Sequence, residues 1–428
     1  MSVRKEIDEL LQANVITEET AQRIRQYYEE NTGSANRRLV VIFGILGALL
    51  SGMGVILIMA YNWADLGIQT KTIMAFVPLL IAQIAGFYTL GWQRNNPVWR
   101  EGSGVAIIMG VGACLFLISQ IYNYPEAENY LLFIWMLLIL PVPYLLNSGA
   151  ASMIYLGGIT YYGAYLGYFT SGTSDVWTYW LLLGAIFPYY IYLIRSRFHE
   201  FYTVIHHWIV PLSIIIVMGG FTGAHGLWMY FAYFSLFGAF FILGHLQPFS
   251  TYPHLQNGYY QMGQIGTAIM MIMLSFKWYW NQIPERLGEM VDPMGAPEFW
   301  FAVILMGLAL ILLLAGIRQN RSLITEPFAI MFLFFIPCFY VGTFSVYGYL
   351  LMNLLILITG VLTIRKGNLE SDFAELNFGL LIFTVLIFSR FFDSNISFLL
   401  RGLAFIVAGL GFFLVNYRMY RKKLSYEK

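Results

Sequence analysis

The chain has 428 residues, of which 59% are hydrophobic and 11% charged, with a mean hydropathy of +0.66 and a formal net charge of +1. A soluble domain carries about 45–50% apolar and about 25% charged residues, so the surplus apolar surface here belongs in lipid, and the near-neutral charge gives no footprint for nucleic acid. The two cysteines, Cys114 and Cys338, both lie inside apolar runs and read as small buried hydrophobes, with neither a disulfide framework nor a metal-ligand spacing.

Residues 1–36 differ from the rest. Ser2 is placed to cap a helix with apolar positions Ile7, Leu10 and Leu11. Thr17 is placed to cap a second, with Glu18 and Glu19 in the first turn, where the helix dipole favours anions. The expectation is a short helical hairpin in water that packs on the membrane domain or serves as a handle for a protein partner. It lacks the apolar core of a secretory signal, so insertion is expected to begin at the first true span.

After Arg37 and Arg38 the chain becomes a series of apolar runs. A helical span takes about 20 residues. The runs read as fourteen spans: 39–61, 72–92, 103–122, 130–147, 150–170, 176–194, 207–224, 227–246, 258–277, 299–317, 326–344, 346–364, 374–391 and 396–417. The expected fold is therefore all-α, a polytopic transmembrane helical bundle preceded by the hairpin. Its parts are residues 1–36, an N-terminal membrane region 37–147, and the remaining bundle 148–428. Between spans nine and ten, the loop 278–298 opens on an aromatic anchor and suggests a short helix on the membrane surface.

Charge tests the count. With fourteen spans, one side holds Arg37, Arg38, Arg94, Arg100, Arg195, Arg197, Arg318, Arg321, Arg365, Lys366, Arg418, Arg421, Lys422 and Lys423. The other holds Lys71, Lys277, Arg286, Arg390 and Arg401. This is the positive-inside signature, and it predicts a cell-membrane protein with both termini in the cytoplasm.

That threading brings distant polar stretches to one depth. Span one ends at Asn62 and Trp63, and span three at Gln120, Tyr122 and Asn123; Gln120 and Asn123 are one helical turn apart. Span thirteen ends at Arg390 and Asp393, and Arg401 sits about one turn inside span fourteen. Together they read as a polar mouth on the outer side that binds a ligand. The plainer account is that amides at helix ends cap the backbone, aromatics anchor at the interface, and Arg390 and Asp393 neutralise each other. Small residues at Gly44, Ala48 and Gly52, and at Ala106 and Gly110, suit close helix packing. Gln261 and Gln264 line a path or bond between helices. No Asp or Glu falls in the middle of a span, and no nucleotide, nucleophile or zinc motif is present; in "HEFYTVIHH" the position four after His199 is Thr203. No catalytic residue, metal site or cofactor is expected.

The N-terminal hairpin, "RRLVVIFGILGALLSGMGVILIMAYNW" (37–63) and "LISQIYNY" (117–124) together resemble the DUF2157 family of predicted polytopic membrane proteins. Members often carry histidine after Gln-Ile-Tyr; here Asn123 stands there, which argues against protonation or metal binding at that point. The resemblance implies membrane topology and no activity. Three functions stay open: a transporter or flippase-like protein for a small polar or lipid-linked molecule, a membrane-embedded enzyme at the outer face, and a non-catalytic scaffold or sensor whose handle is residues 1–36.

Overall fold

A computed structural model describes residues 66–124, 128–169, 176–222, 226–281, 293–319, 321–345 and 347–391, with shorter stretches and single positions among 7–24, 42–57, 283 and 399–417. Among the described residues the regular elements are all helical. Eight helices are long and apolar enough to cross a membrane. The expected first and last spans, 39–61 and 396–417, fall largely outside the described residues, as do residues 282 and 284–292 of the 278–298 loop and residues 25–36 of the N-terminal hairpin; the described start of that loop lies in a short helix, Lys277–Asn281. Near the N-terminus, the Thr20 amide donates to Thr17 Oγ1 at 3.3 Å and the Ala21 amide to the Thr17 carbonyl at 2.9 Å, so Thr17 caps the turn that follows.

The chain forms two compact units, Met1–Tyr162 with Tyr179–Tyr192, and Gly163–Thr178 with Leu193–Lys428. In the first, α1 (Ile68–Trp92) and α2 (Pro97–Ile121) form an antiparallel pair. Asn96 turns the chain between them: its side chain accepts from the Val98 amide at 3.0 Å, and Pro97 fills the first helical position, where a missing N–H costs nothing. Gly110 lets α2 approach closely, because a Cβ there would press on the backbone of Pro78 and Leu79 in α1. Next come α3 (Glu128–Ile139) and α4 (Pro141–Leu146), separated at Leu140, before Pro141 restarts the helix. The indole of Trp135 on α3 donates to the Ile108 carbonyl of α2 at 3.0 Å. Two further helices, α5 (Gly149–Phe169) and α6 (Trp177–Ser196), each contribute most of their length to this unit.

The second unit contains α7 (Phe201–Met218), α8 (Leu227–His245), α9 (Gly258–Leu274), α10 (Pro297–Gln319), α11 (Pro327–Thr343), α12 (Gly348–Glu370) and α13 (Phe373–Phe391). Helix α8 is apolar all round and mostly buried, whereas α10 is mostly exposed. So α8 is the central post of this unit, while α10 turns Ile304, Ile311 and Leu314 outward, the surface a lipid-facing helix presents. Phe234 of α8 lies flat on Phe335 of α11, with ring centroids 3.6 Å apart, inside a core that includes Phe241, Phe328, Phe332, Phe339 and Trp280. Helices α9, α11 and α13 occupy expected spans but are shorter or carry more polar residues than a plain lipid-crossing segment.

Candidate functional site

In the second unit the chain runs up and down, so α8 and α12 end where α9, α11 and α13 begin. Each of those ends is fixed locally. Asn257 caps α9, accepting from the Tyr260 amide at 3.1 Å while its NH₂ group donates to the carbonyls of Gly244 and Phe249. A Cβ at Gly263 would strike the Phe241 backbone, so α9 lies directly against α8. Glu326 stands at the start of α11 with Pro327 behind it. Between α12 and α13, Ser371 adopts a left-handed φ of 58° and Asp372 caps α13, accepting from the amides of Ala374 and Glu375 at 2.8 and 3.2 Å. This turn sets Lys366 and Glu375 close to the same helix ends.

Two ionic groups result. In one, Lys366 Nζ reaches both carboxylate oxygens of Glu326 at 2.6 Å, and His245 Nε2 lies 3.8 Å from Oε1. The other ring nitrogen of His245 pairs with the Phe241 carbonyl at 2.9 Å. In the second group, Glu375 Oε2 accepts from the Tyr260 hydroxyl at 2.6 Å and from Gln264 Nε2 at 3.2 Å. The Tyr260 ring bridges the two groups, packed by His245 on one side and met edge-on by His254. Glu375 is only 3% exposed, and its Oε1 is a buried oxygen without a hydrogen-bond partner among the described residues. Burial holds the Glu326 carboxyl above the ordinary carboxylate range, reinforced by the negative charge of Glu375 and opposed by the ammonium and hydrogen bond of Lys366.

A third buried carboxylate lies in the first unit and has a different character. Glu101 accepts from Ser148 Oγ at 2.6 Å, the Ala150 amide at 2.8 Å and the Gly149 amide at 3.3 Å, at the N-terminus of α5. Its charge meets the positive end of a helix and its oxygens are satisfied, so it ties α2 to α5 as a structural cap.

Of the residues expected at an outer mouth, Gln120, Tyr122 and Asn123 are described. Asn123 has a left-handed φ of 47°. Its amide donates to the Gln120 carbonyl at 3.4 Å, and the Tyr124 amide to the Ser119 carbonyl at 3.0 Å, the paired bonds that close a helix C-terminus. Tyr122 extends to Thr72 Oγ1 at 3.1 Å, and Gln120 is exposed. Arg390 lies in the last turn of α13, with its side chain outside the described residues; Asn62, Trp63, Asp393 and Arg401 are outside them altogether. Gln264 does bond between helices, and Gln261 donates to the His254 carbonyl at 3.3 Å.

Sequence reasoning did not single out Glu326, Glu375, Lys366, His245, Tyr260 or Glu101 as site residues. A usable signal was present: acids placed within one turn of span ends on the lysine- and arginine-rich side, where searching only mid-span positions overlooks them.

No curated protein and no solved structure matches the chain. The Glu101 cap lies inside the stretch that a family model matches, and the Glu326–Glu375 cluster lies beyond that stretch. The chain is a membrane protein whose residues 8–152 match the family model of DUF2157, described as a predicted membrane protein.

Proposed function

We propose that the protein is a multi-pass carrier, transporter- or flippase-like, for a small polar or lipid-linked molecule, and that the polar cluster of the second unit is its working centre. One observation carries this reading: two carboxylates, an ammonium, an imidazole, a phenol and an amide are gathered at the ends of five apolar helices. Burying ionisable groups there is costly, and ionisable groups within membrane helices are functional-site candidates by default, since they commonly line solute and ion paths. With both termini cytoplasmic, as the lysine and arginine distribution supports, the cluster sits at the cytosolic end of its helices. The residues Gln120, Tyr122 and Arg390, with Asn62, Trp63, Asp393 and Arg401, fall on the other side of the membrane in this threading and remain the proposed outer polar residues.

The test is uptake of labelled polar solutes and lipid-linked sugars by vesicles containing the pure full-length protein, compared with the charge-neutral Glu326→Gln/Lys366→Met double variant. Flux by the wild type that the variant loses at equal incorporation supports the reading. Flux equal to that of empty vesicles across the whole panel sinks it.

A further inference from the structure

Helix α9 carries a polar stripe into the bundle. Tyr260, Gln264 and Thr267 follow one another at helical spacing and share one face, at 3%, 2% and 1% exposure. Tyr260 and Gln264 both donate to Glu375 Oε2. Glu375 lies in the first turn of α13, whose positive end favours the carboxylate, so its charge is provided for. What the carboxylate lacks is a donor at Oε1, which is buried with no hydrogen-bond partner among the described residues.

Thr267 presents the complementary group. Threonines inside an apolar helix ordinarily return the hydroxyl to the carbonyl four residues back, as Thr359 and Thr363 of α12 and Thr384 of α13 do. Thr267 Oγ1 is buried and makes no such bond among the described residues. It stands one turn beyond Gln264 and about 10 Å past Tyr260 along the helix, able to give one bond and to receive another. Two bare oxygens are thus set around the Gln264 side chain, one on the carboxylate it bonds and one on the next turn of its own helix. Ser235 of α8 also has a bare buried hydroxyl, but its helical neighbours Phe231, Ala232, Gly238 and Ala239 offer a ligand no second polar side chain.

We propose that Glu375 Oε1 and Thr267 Oγ1 form a binding site for one hydroxyl group, that of a water molecule or of an uncharged polyhydroxylated solute. The bound O–H donates to Glu375 Oε1, and its oxygen accepts from the Thr267 hydroxyl. The second O–H of a water molecule has the amide oxygen of Gln264 as its acceptor. Three partners are the usual number for a buried water. A metal cation finds too few oxygens here to replace its hydration shell. The site does not depend on the protein's being a carrier. If it is one, the site favours solutes rich in hydroxyl groups.

The experiment is a structure of the full-length protein in lipid nanodiscs at a resolution that shows ordered water, once in polyol-free buffer and once with myo-inositol. Density within hydrogen-bond distance of both Glu375 Oε1 and Thr267 Oγ1 is expected. An isolated peak in polyol-free buffer is water, and a ring-sized feature that replaces it with myo-inositol is a solute; either supports the proposal. Neither preparation showing density on these two oxygens overturns it. Thr267→Val, which keeps the shape and loses the hydroxyl, gives a second measurement. A buried hydroxyl without a partner costs stability, so its removal raises the melting temperature, whereas the loss of a hydroxyl that holds a ligand lowers it by about 2–4 °C. A rise or no change overturns the proposal. Should Thr267→Val not fold, the wild-type density decides.

Discussion

The hydroxyl of Tyr260 donates a 2.6 Å hydrogen bond to Glu375 Oε2 across 115 positions of sequence, inside a bundle end from which water is largely excluded. A charge-assisted bond of this kind is worth about 1.5–3 kcal/mol. Tyr260→Phe removes only the oxygen and leaves the ring packed against His245 and His254. It is expected to lower stability in detergent by about 2 kcal/mol, read from denaturant unfolding. The double variant Tyr260→Phe/Glu375→Gln is expected to cost less than the sum of the singles, because the carboxylate whose donor is lost is then absent too.

The Lys366–Glu326 pair gives a prediction with a definite pH direction. Burial holds the Glu326 carboxyl above its unfolded value. The stability from this shift is fully present below the unfolded value and is lost as pH rises through the folded one. Lys366 offsets the loss by favouring the ionised form. In Lys366→Met the offset disappears, so the folded value rises further and the loss extends to higher pH. The single variant is expected to be about 3–5 kcal/mol less stable than wild type at neutral pH and to regain stability on mild acidification. Glu326→Gln/Lys366→Met is expected to lose most of that pH dependence, measured by melting temperature across a pH series.

Glu101 allows a comparison with the cluster. Its oxygens are matched by Ser148 Oγ and the amides of Gly149 and Ala150, so no site for a ligand is left. Glu101→Ala leaves those three donors buried without an acceptor, at about 1–3 kcal/mol for each that water cannot reach. Glu101→Gln keeps one acceptor and is expected to lose about half as much. At Glu375 the same order is expected on fewer bonds: Gln keeps an acceptor for Tyr260 Oη and Gln264 Nε2, whereas Ala leaves both donors unmatched. Unfolding of the four variants side by side is the check.

How much of this was legible beforehand depends on the kind of physics involved. Apolar runs place helices well: the expected 72–92, 103–122 and 227–246 lie within a few residues of α1, α2 and α8. The Thr17 cap and the close-packing role of Gly110 also followed from residue type and spacing. The buried carboxylates did not. Glu326, Lys366 and Glu375 sit in or beside loops in the sequence, where charge is ordinary, and only the return of five helix ends to one place takes them out of water. Their partners come from separate helices, and nothing in a single chain's spacing encodes which helix ends meet. Asn123 shows another limit: its neighbours in sequence suggest a place in an outer polar mouth, and the left-handed backbone at φ 47°, which Asn tolerates, is a feature that only the structure adds.

The threading itself is open to a direct chemical test. Cys114 and Cys338 are replaced by alanine, and a cysteine is placed at exposed position 123. A membrane-impermeant thiol reagent added to intact cells is expected to label it if the basic-rich side is cytoplasmic, as the positive-inside rule predicts. Labelling only in inside-out vesicles reverses the orientation and moves the Glu326–Glu375 cluster to the outer side.

Asn123 also separates capping from ligand binding at the outer end. In the left-handed region, glycine pays no steric cost and Asn pays little, whereas a β-branched residue is penalised by about 1–2 kcal/mol. Asn123→Gly is therefore expected to leave melting temperature nearly unchanged, and Asn123→Val to lower it, since the bonds from residues 123 and 124 to the Gln120 and Ser119 carbonyls depend on that backbone shape. Glycine keeps the cap and discards the amide. If Asn123→Gly also retains full flux in the vesicle assay, the Asn123 side chain has no part in the outer mouth. If flux falls while stability holds, the amide itself meets the solute, and Gln120 on the preceding turn becomes the next position to replace.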